Sequence, residues 1–237
     1  MVVGGVFETK GGTSCVILKY TNSRDIDVEF LDGNYFRTKV SAGNLRKGEV
    51  KNPYNRNIYG VGYIGSGDFR ARNGGVKTKE YSVWENLMQR CYSEKFLENN
   101  PAYKGCEVHP KWHNFQNFAE WYTSQEFYRE GYHLDKDLLY RGNKVYGEDT
   151  CCLIPRAINN AIVGMFKSGG VRFEEESLKY RAYISCNGLQ KHLGYFSTES
   201  DAIGAYRDAK TKYLKSLAET WKNKIDDRVY NSLLGEW

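Results

Sequence analysis

Between residues 170 and 215 the chain spells three strand-length stretches and then a helix with one small-residue face. The stretches are Gly170–Phe173, Lys179–Cys186 and Gln190–Phe196, with a turn signal at Asn187-Gly188 between the last two. Thr198 then offers a helix cap, and Asp201 stands at the capping-box position. Ala202, Ala205, Tyr206, Ala209 and Tyr213 recur at helical spacing. Small side chains let a helix lie close on a sheet. The expectation is a three-stranded sheet with one helix behind it and the other sheet face free.

The rest of the chain mixes strand and helix signals, so the fold class is α+β. In residues 1–52, Val2, Val3, Val6 and Phe7 lead into Ser14–Tyr20. Asp25–Phe30 alternates, with Ile26, Val28 and Phe30 apolar. A turn at Asp32-Gly33 returns the chain through Tyr35–Val40. This predicts a small β-barrel or sheet of about five strands. Residues 53–80 read as a flexible, basic, glycine-rich linker. It carries Gly60, Gly62, Gly65, Gly67, Gly74 and Gly75 beside Arg70, Arg72, Lys77 and Lys79. Such a segment can lie along a DNA backbone; a solvated linker is the equal reading. Its lone GxGxxG at Gly60–Gly65 lacks a βαβ setting and an acidic partner, so no nucleotide cofactor is expected.

Residues 81–166 form a third segment. Tyr81, Trp84, Leu87, Met88, Cys91 and Tyr92 share a helix face, as do Trp112, Phe115, Phe118, Trp121 and Tyr122. Residues 128–166 read strand, loop, strand, helix: Tyr132–Tyr140, a polar loop Arg141–Asp149, Cys151–Ile154, then Arg156–Phe166. Pro155 suits the first turn of that helix. Residues 167–237 complete the chain with the sheet-and-helix unit and a helical extension.

The net charge of +5 is mildly basic, below what would mark a nucleic-acid binder by charge alone. The 19 tyrosines suit wet interfaces, although filling small cores is the commoner use. The six cysteines form no CxxC pair. The start of the chain shows no leader pattern, and no stretch is apolar enough for a span, so no membrane partner is expected and the location read is cytoplasmic.

Gly170-Val171-Arg172, Tyr180-Arg181-Ala182-Tyr183-Ile184, His192-Leu193-Gly194-Tyr195-Phe196 and Ala202…Ala205-Tyr206-Arg207-Asp208-Ala209 occur in one ordered run. This run resembles the APETALA/ERF-type DNA-binding domain over roughly residues 168–215. The resemblance implies that the free sheet face enters the major groove of double-stranded DNA. Ala182 and Ile184 match the positions buried against the helix. Alternation then turns Arg181, Tyr183 and Ser185 outward, and on the third strand Gln190 and His192. Arg172 falls on the family's contacting arginine. Glu174–Glu176 depart from the family, where basic or aromatic residues are usual, and would repel phosphate.

The stretch 81–162 resembles the HNH endonuclease-like proteins of phages and mobile elements. The matching residues are Trp84…Met88-Gln89-Arg90-Cys91-Tyr92, Val108…Trp112-His113-Asn114-Phe115…Phe118, Leu134-Asp135-Lys136-Asp137, Tyr146…Thr150-Cys151 and Asn159-Asn160. The resemblance implies a clamp around one divalent metal, Mg or Mn, with a histidine as base. Asp135 matches the acid and Asn160 the helix ligand. Lys136 stands at the histidine position and Thr150 at the middle position, so two of three signature residues have changed. A lysine cannot accept the proton but could grip phosphate. His133, two residues before Asp135 on a strand, is a replacement base; Asn143 is an alternative middle ligand.

Structural zinc through Cys91, Cys106, His109, His113, Cys151 and Cys152 is the other metal reading, but the spacings fit no zinc pattern. Buried thiols are the stronger reading. Three functions follow: a phage-type nicking endonuclease acting in the bacterial cell, a DNA-binding protein whose HNH unit has lost catalysis, and a protein-binding inhibitor with a tyrosine-rich surface. Lys136 and Thr150 favour the second over the first.

Overall fold

In the computed structural model, residues 1–32, 35–128, 130–162 and 170–235 are described. The chain folds as two compact units, residues 1–123 and 124–237. Each mixes helix with small sheets, as the α+β reading expects.

The first unit begins with an antiparallel sheet in sequential order: β1 (Val6–Glu8), β2 (Ser14–Asn22), β3 (Asp25–Phe30) and β4 (Phe36–Val40). The alternation in β3 sets its face. Ile26, Val28 and Phe30 are fully buried with Cys15, Ile17 and Leu45. Leu45 comes from α1 (Ala42–Arg46), whose N-cap Ser41 accepts from the Asn44 amide. Four strands form where five were expected, and β1 and β4 stand as unclosed edges rather than a barrel. Gly33, of the expected turn, lies outside the described residues.

The glycine-rich run is pinned rather than loose. It holds a short hairpin of β5 (Arg72–Asn73) and β6 (Val76–Lys77). Gln116 donates to the carbonyls of Ile64 and Phe69, at 3.2 and 3.0 Å, and accepts from the Phe69 amide at 3.0 Å. Tyr63 exchanges backbone bonds with His113 and Phe115. These residues flank and open α4 (Phe115–Ser124), whose Phe115 and Phe118 pack with Trp84 and Tyr81 of α2 (Lys79–Tyr92) or with Trp112. Between them run α3 (Glu94–Asn99) and β7 (Glu107–Val108). The aromatic stripes are core, as their spacing indicated.

The second unit holds the two arrangements that the sequence singled out. β8 (Tyr132–Asp135) pairs antiparallel with β10 (Cys152–Pro155), and α5 (Arg156–Ile162) follows; β9 (Val145–Tyr146) lies in the intervening loop. The strand–loop–strand–helix order matches the expectation, with shifted edges. β8 stops at Asp135 instead of Tyr140, because the chain turns there, and Pro155 ends the strand instead of opening the helix. The expected helix end at Phe166 and the 166/167 boundary lie outside the described residues.

The sheet β11 (Val171–Glu174), β12 (Lys179–Cys186) and β13 (Leu189–Phe196) is antiparallel in sequential order. The Asn187-Gly188 turn forms with both residues at positive φ, 51° and 80°. Helix α6 (Glu199–Trp221) is capped by Thr198, whose hydroxyl accepts from the Asp201 amide and donates to the Asp201 carboxylate. Its early turns lay Ala202 and Tyr206 on the sheet beside Ala182 and Ile184, all buried. Its later turns carry Leu214, Leu217 and Ala218 into a core with Ile154, Ile158 and Ala161, closed by Val229 and Leu233 of α7 (Asp227–Leu234). One helix therefore serves both the sheet and the ββα arrangement.

Candidate nucleic-acid interface

Directly opposite residues in an antiparallel ladder share a face. Arg172 lies opposite Arg181, Arg181 opposite Tyr195, Tyr183 opposite His192, and Ser185 opposite Gln190. All six residues expected to point outward stand together on the face away from α6. Ala182 and Ile184 occupy the other face, 0% and 3% exposed.

Tyr195 joins this face although simple alternation turns it inward. The register shifts by one residue after Ala182, so Ala182 faces Gly194 while Tyr183 faces His192. The extra residue is a β-bulge, and Gly194 sits there at φ 142°, a conformation glycine adopts without strain. His192 and Tyr195, three apart in sequence, consequently meet with ring centroids 4.9 Å apart. A glycine inside a strand pattern was the available signal.

The face is positively charged at one end. Arg172 is exposed, and Arg181 is half-buried, its Nη1 3.7 Å from Glu174 Oε1. Arg181 Nε is buried without a hydrogen-bond partner. Guanidinium, imidazole, amide, hydroxyl and phenol groups thus line one open surface.

The residues around β8 are more inward-looking. Asp135 Oδ1 accepts from the amides of Asp137 and Leu138 at 3.0 and 2.7 Å, closing the turn after the strand. Burial pushes its carboxyl above the usual carboxylate range, and those two amides oppose the rise. Lys136 is only 8% exposed. Its ammonium donates to Asp137 and to the Asn143 carbonyl at 2.7 Å, and lies 5.7 Å from the Tyr146 ring centroid. Asn143 donates back to the Lys136 carbonyl and binds Val145 on both its amide and carbonyl; Thr150 donates to Val145. Lys136, Asn143 and Thr150 thus knit the loop together, and the ammonium is spent inside it.

His133 is exposed, and it meets α5 at Asn159 rather than at Asn160. Asn159 Nδ2 lies 3.1 Å from His133 Nδ1. An amide nitrogen donates, so Nδ1 accepts and a neutral imidazole carries its hydrogen on Nε2. In that tautomer neither ring nitrogen is free to take a proton. Asn160 is exposed. Among the described residues no three His, Cys, Asp or Glu side chains gather. Asp135 Oδ1 is held by its own turn, while Asn160 is exposed on α5.

Two of the zinc candidates already use one ring nitrogen each. His109 Nδ1 accepts from the Lys111 amide, and His113 Nε2 lies 2.9 Å from the Val108 carbonyl. Burial lowers the His113 pKa from its ordinary value. It also pushes the Cys151 thiol up to about 12 and raises Cys152 too.

No helix among the described residues is long and apolar enough to cross a membrane. Compared with protein-family models, with curated proteins and with solved structures, the chain matches none.

Proposed function

We propose that this chain binds double-stranded DNA through the outer face of β11, β12 and β13. The observation that carries the reading is the register: Arg172, Arg181, Tyr183, Ser185, Gln190, His192 and Tyr195 share one surface backed by a helix. A ribbon of strands fits the major groove, where each base pair presents a distinct set of donors, acceptors and methyls. Arginine grips guanine O6 and N7 with two bonds, and the neutral polar groups read the remaining edges or phosphates. In this reading the ββα arrangement is scaffold: its loop polar groups satisfy one another, and it shares the core that anchors α6. The tyrosine count gives a protein-binding surface less support than it first offers, since Tyr81, Tyr122, Tyr146 and Tyr206 fill cores.

Duplex affinity should fall linearly in log–log terms as salt rises, because phosphate contacts release counterions. Arg172→Ala should cost about 1–3 kcal/mol on the preferred site and relax preference at one base pair. Anisotropy titrations of site and scrambled duplexes check this; an equal loss on both would make Arg172 a phosphate contact.

Nuclease activity is the second reading, and the contact of Asn159 with His133 across β8 and α5 counts against it in the unaltered chain, since it leaves neither ring nitrogen free as a base. A carboxylate there would accept from Nδ1–H and free Nε2 as a base. Asn159→Asp should therefore raise any Mg²⁺- or Mn²⁺-dependent nicking of supercoiled DNA. Faster nicking by the unaltered chain than by Asn159→Asp would count against this tautomer argument.

A further inference from the structure

The acid that departs from the family pattern on β11 lies on the reading face. Glu174 is opposite Lys179, two residues from Arg181 along β12, so its side chain belongs to the face of Arg172 and Arg181. Its carboxylate reaches diagonally to Arg181, Oε1 to Nη1, at 3.7 Å. Neither group is used up by this contact. The separation is long for a hydrogen bond, and both side chains are about one-third exposed. An acid here costs affinity for phosphate but leaves a carboxylate that can accept from a base edge.

We infer that Glu174 and Arg181 together read one C·G base pair. In the major groove guanine presents two acceptors, O6 and N7, and cytosine presents one donor, the N4 amine. A guanidinium complements the first and a carboxylate the second. The cytosine N4 and guanine O6 of one pair are hydrogen-bonded to each other, about 2.9 Å apart. Groups that must meet those two edges at once have to stand at a similar separation, as Arg181 Nη1 and Glu174 Oε1 do. Arg172, directly opposite Arg181, would otherwise place two like charges side by side, and the carboxylate between strands offsets that repulsion. A T·A or A·T pair sets its one donor, adenine N6, between two acceptors, so the guanidinium loses its two-bond grip there.

This inference rests on the DNA-binding reading, and its test separates the two. Selection from randomised duplexes with the full chain gives the preferred site. Each cytosine of that site is then replaced by 2-pyrimidinone, which is cytosine without the 4-amino group. At one position the unaltered protein should lose roughly five- to hundred-fold in affinity. Glu174→Ala should lose a similar factor on the native site and become indifferent to the replacement. Glu174→Gln, which keeps an acceptor oxygen, should retain part of the discrimination. Indifference of the unaltered protein to the replacement at every cytosine would overturn the inference while leaving DNA binding intact. So would Glu174→Ala binding all duplexes more tightly by one common factor, the mark of simple repulsion. Failure of the unaltered protein to bind any duplex overturns the DNA-binding reading, and this inference with it.

Discussion

Replacing Gly170 with alanine should destabilise the second unit by about 3 kcal/mol or more, a large part of the stability of an ordinary domain. Gly170 leads into β11, and its carbonyl accepts from the Tyr183 amide at 2.7 Å. An added Cβ would lie under 3.0 Å from the Tyr183 carbonyl and from the Tyr206 ring, closer than real Cβ atoms come. Neither neighbour can yield cheaply: one is strand backbone, the other a side chain buried between α6 and the sheet. The urea midpoint of Gly170→Ala should drop sharply, and DNA affinity should go with it. Gly204 is the internal contrast. It is exposed on α6 with nothing within 4 Å of its absent Cβ, so Gly204→Ala should stabilise by about 0.5–1 kcal/mol. Equal effects at the two positions would mean that the helix does not close on the sheet as described.

The second large effect is at Lys136. Lys136→Met keeps the apolar stem but removes the charged donor from the Asn143 carbonyl, a loss of about 1.5–3 kcal/mol. Its ion pair with Asp137, which is 42% exposed, adds little. The protein that stays folded should bind DNA with unchanged affinity and salt dependence. This differs from the expectation drawn from the HNH resemblance, in which Lys136 grips phosphate. Burial is the reason: Lys136 is 8% exposed, and its ammonium faces Asp137, the Asn143 carbonyl and the Tyr146 ring. For the same reason Lys136→His should not restore cleavage, since an imidazole there would face the loop. A weaker, less salt-dependent DNA complex in Lys136→Met would return this residue to the interface.

The sheet and its helix were legible in the sequence because each signal was local. Thr198 and Asp201 sit within one turn, Asn187-Gly188 has few other uses, and a two-residue period needs no distant partner. The bulge at Gly194 escaped because alternation presumes an unbroken period; one inserted residue moved Tyr195 to the outer face. The glycine-rich run misled through composition. Glycines read as looseness, yet here Gln116, about fifty residues on, ties down Ile64 and Phe69. Around β8 the elements were foreseen, but the roles of the side chains depend on long-range closure. Whether Lys136 faces water or Asn143, and whether His133 meets Asn159 or Asn160, is settled by how the loop folds back. The double duty of α6 was hidden too, because Leu214, Leu217 and Ala218 do not show in sequence which core they enter. Deleting residues 168–237 would therefore strip that core from Ile154 and Ile158, so the point variants are the cleaner tests.

The most direct measurement is amide chemical-shift mapping of the full chain during titration with duplex DNA at low salt. The proposed function predicts shifts concentrated at Arg172, Arg181, Tyr183, Ser185, Gln190, His192 and Tyr195, with the α6 face of the sheet little changed. Shifts centred on any other surface, or no shifts at all, would contradict it.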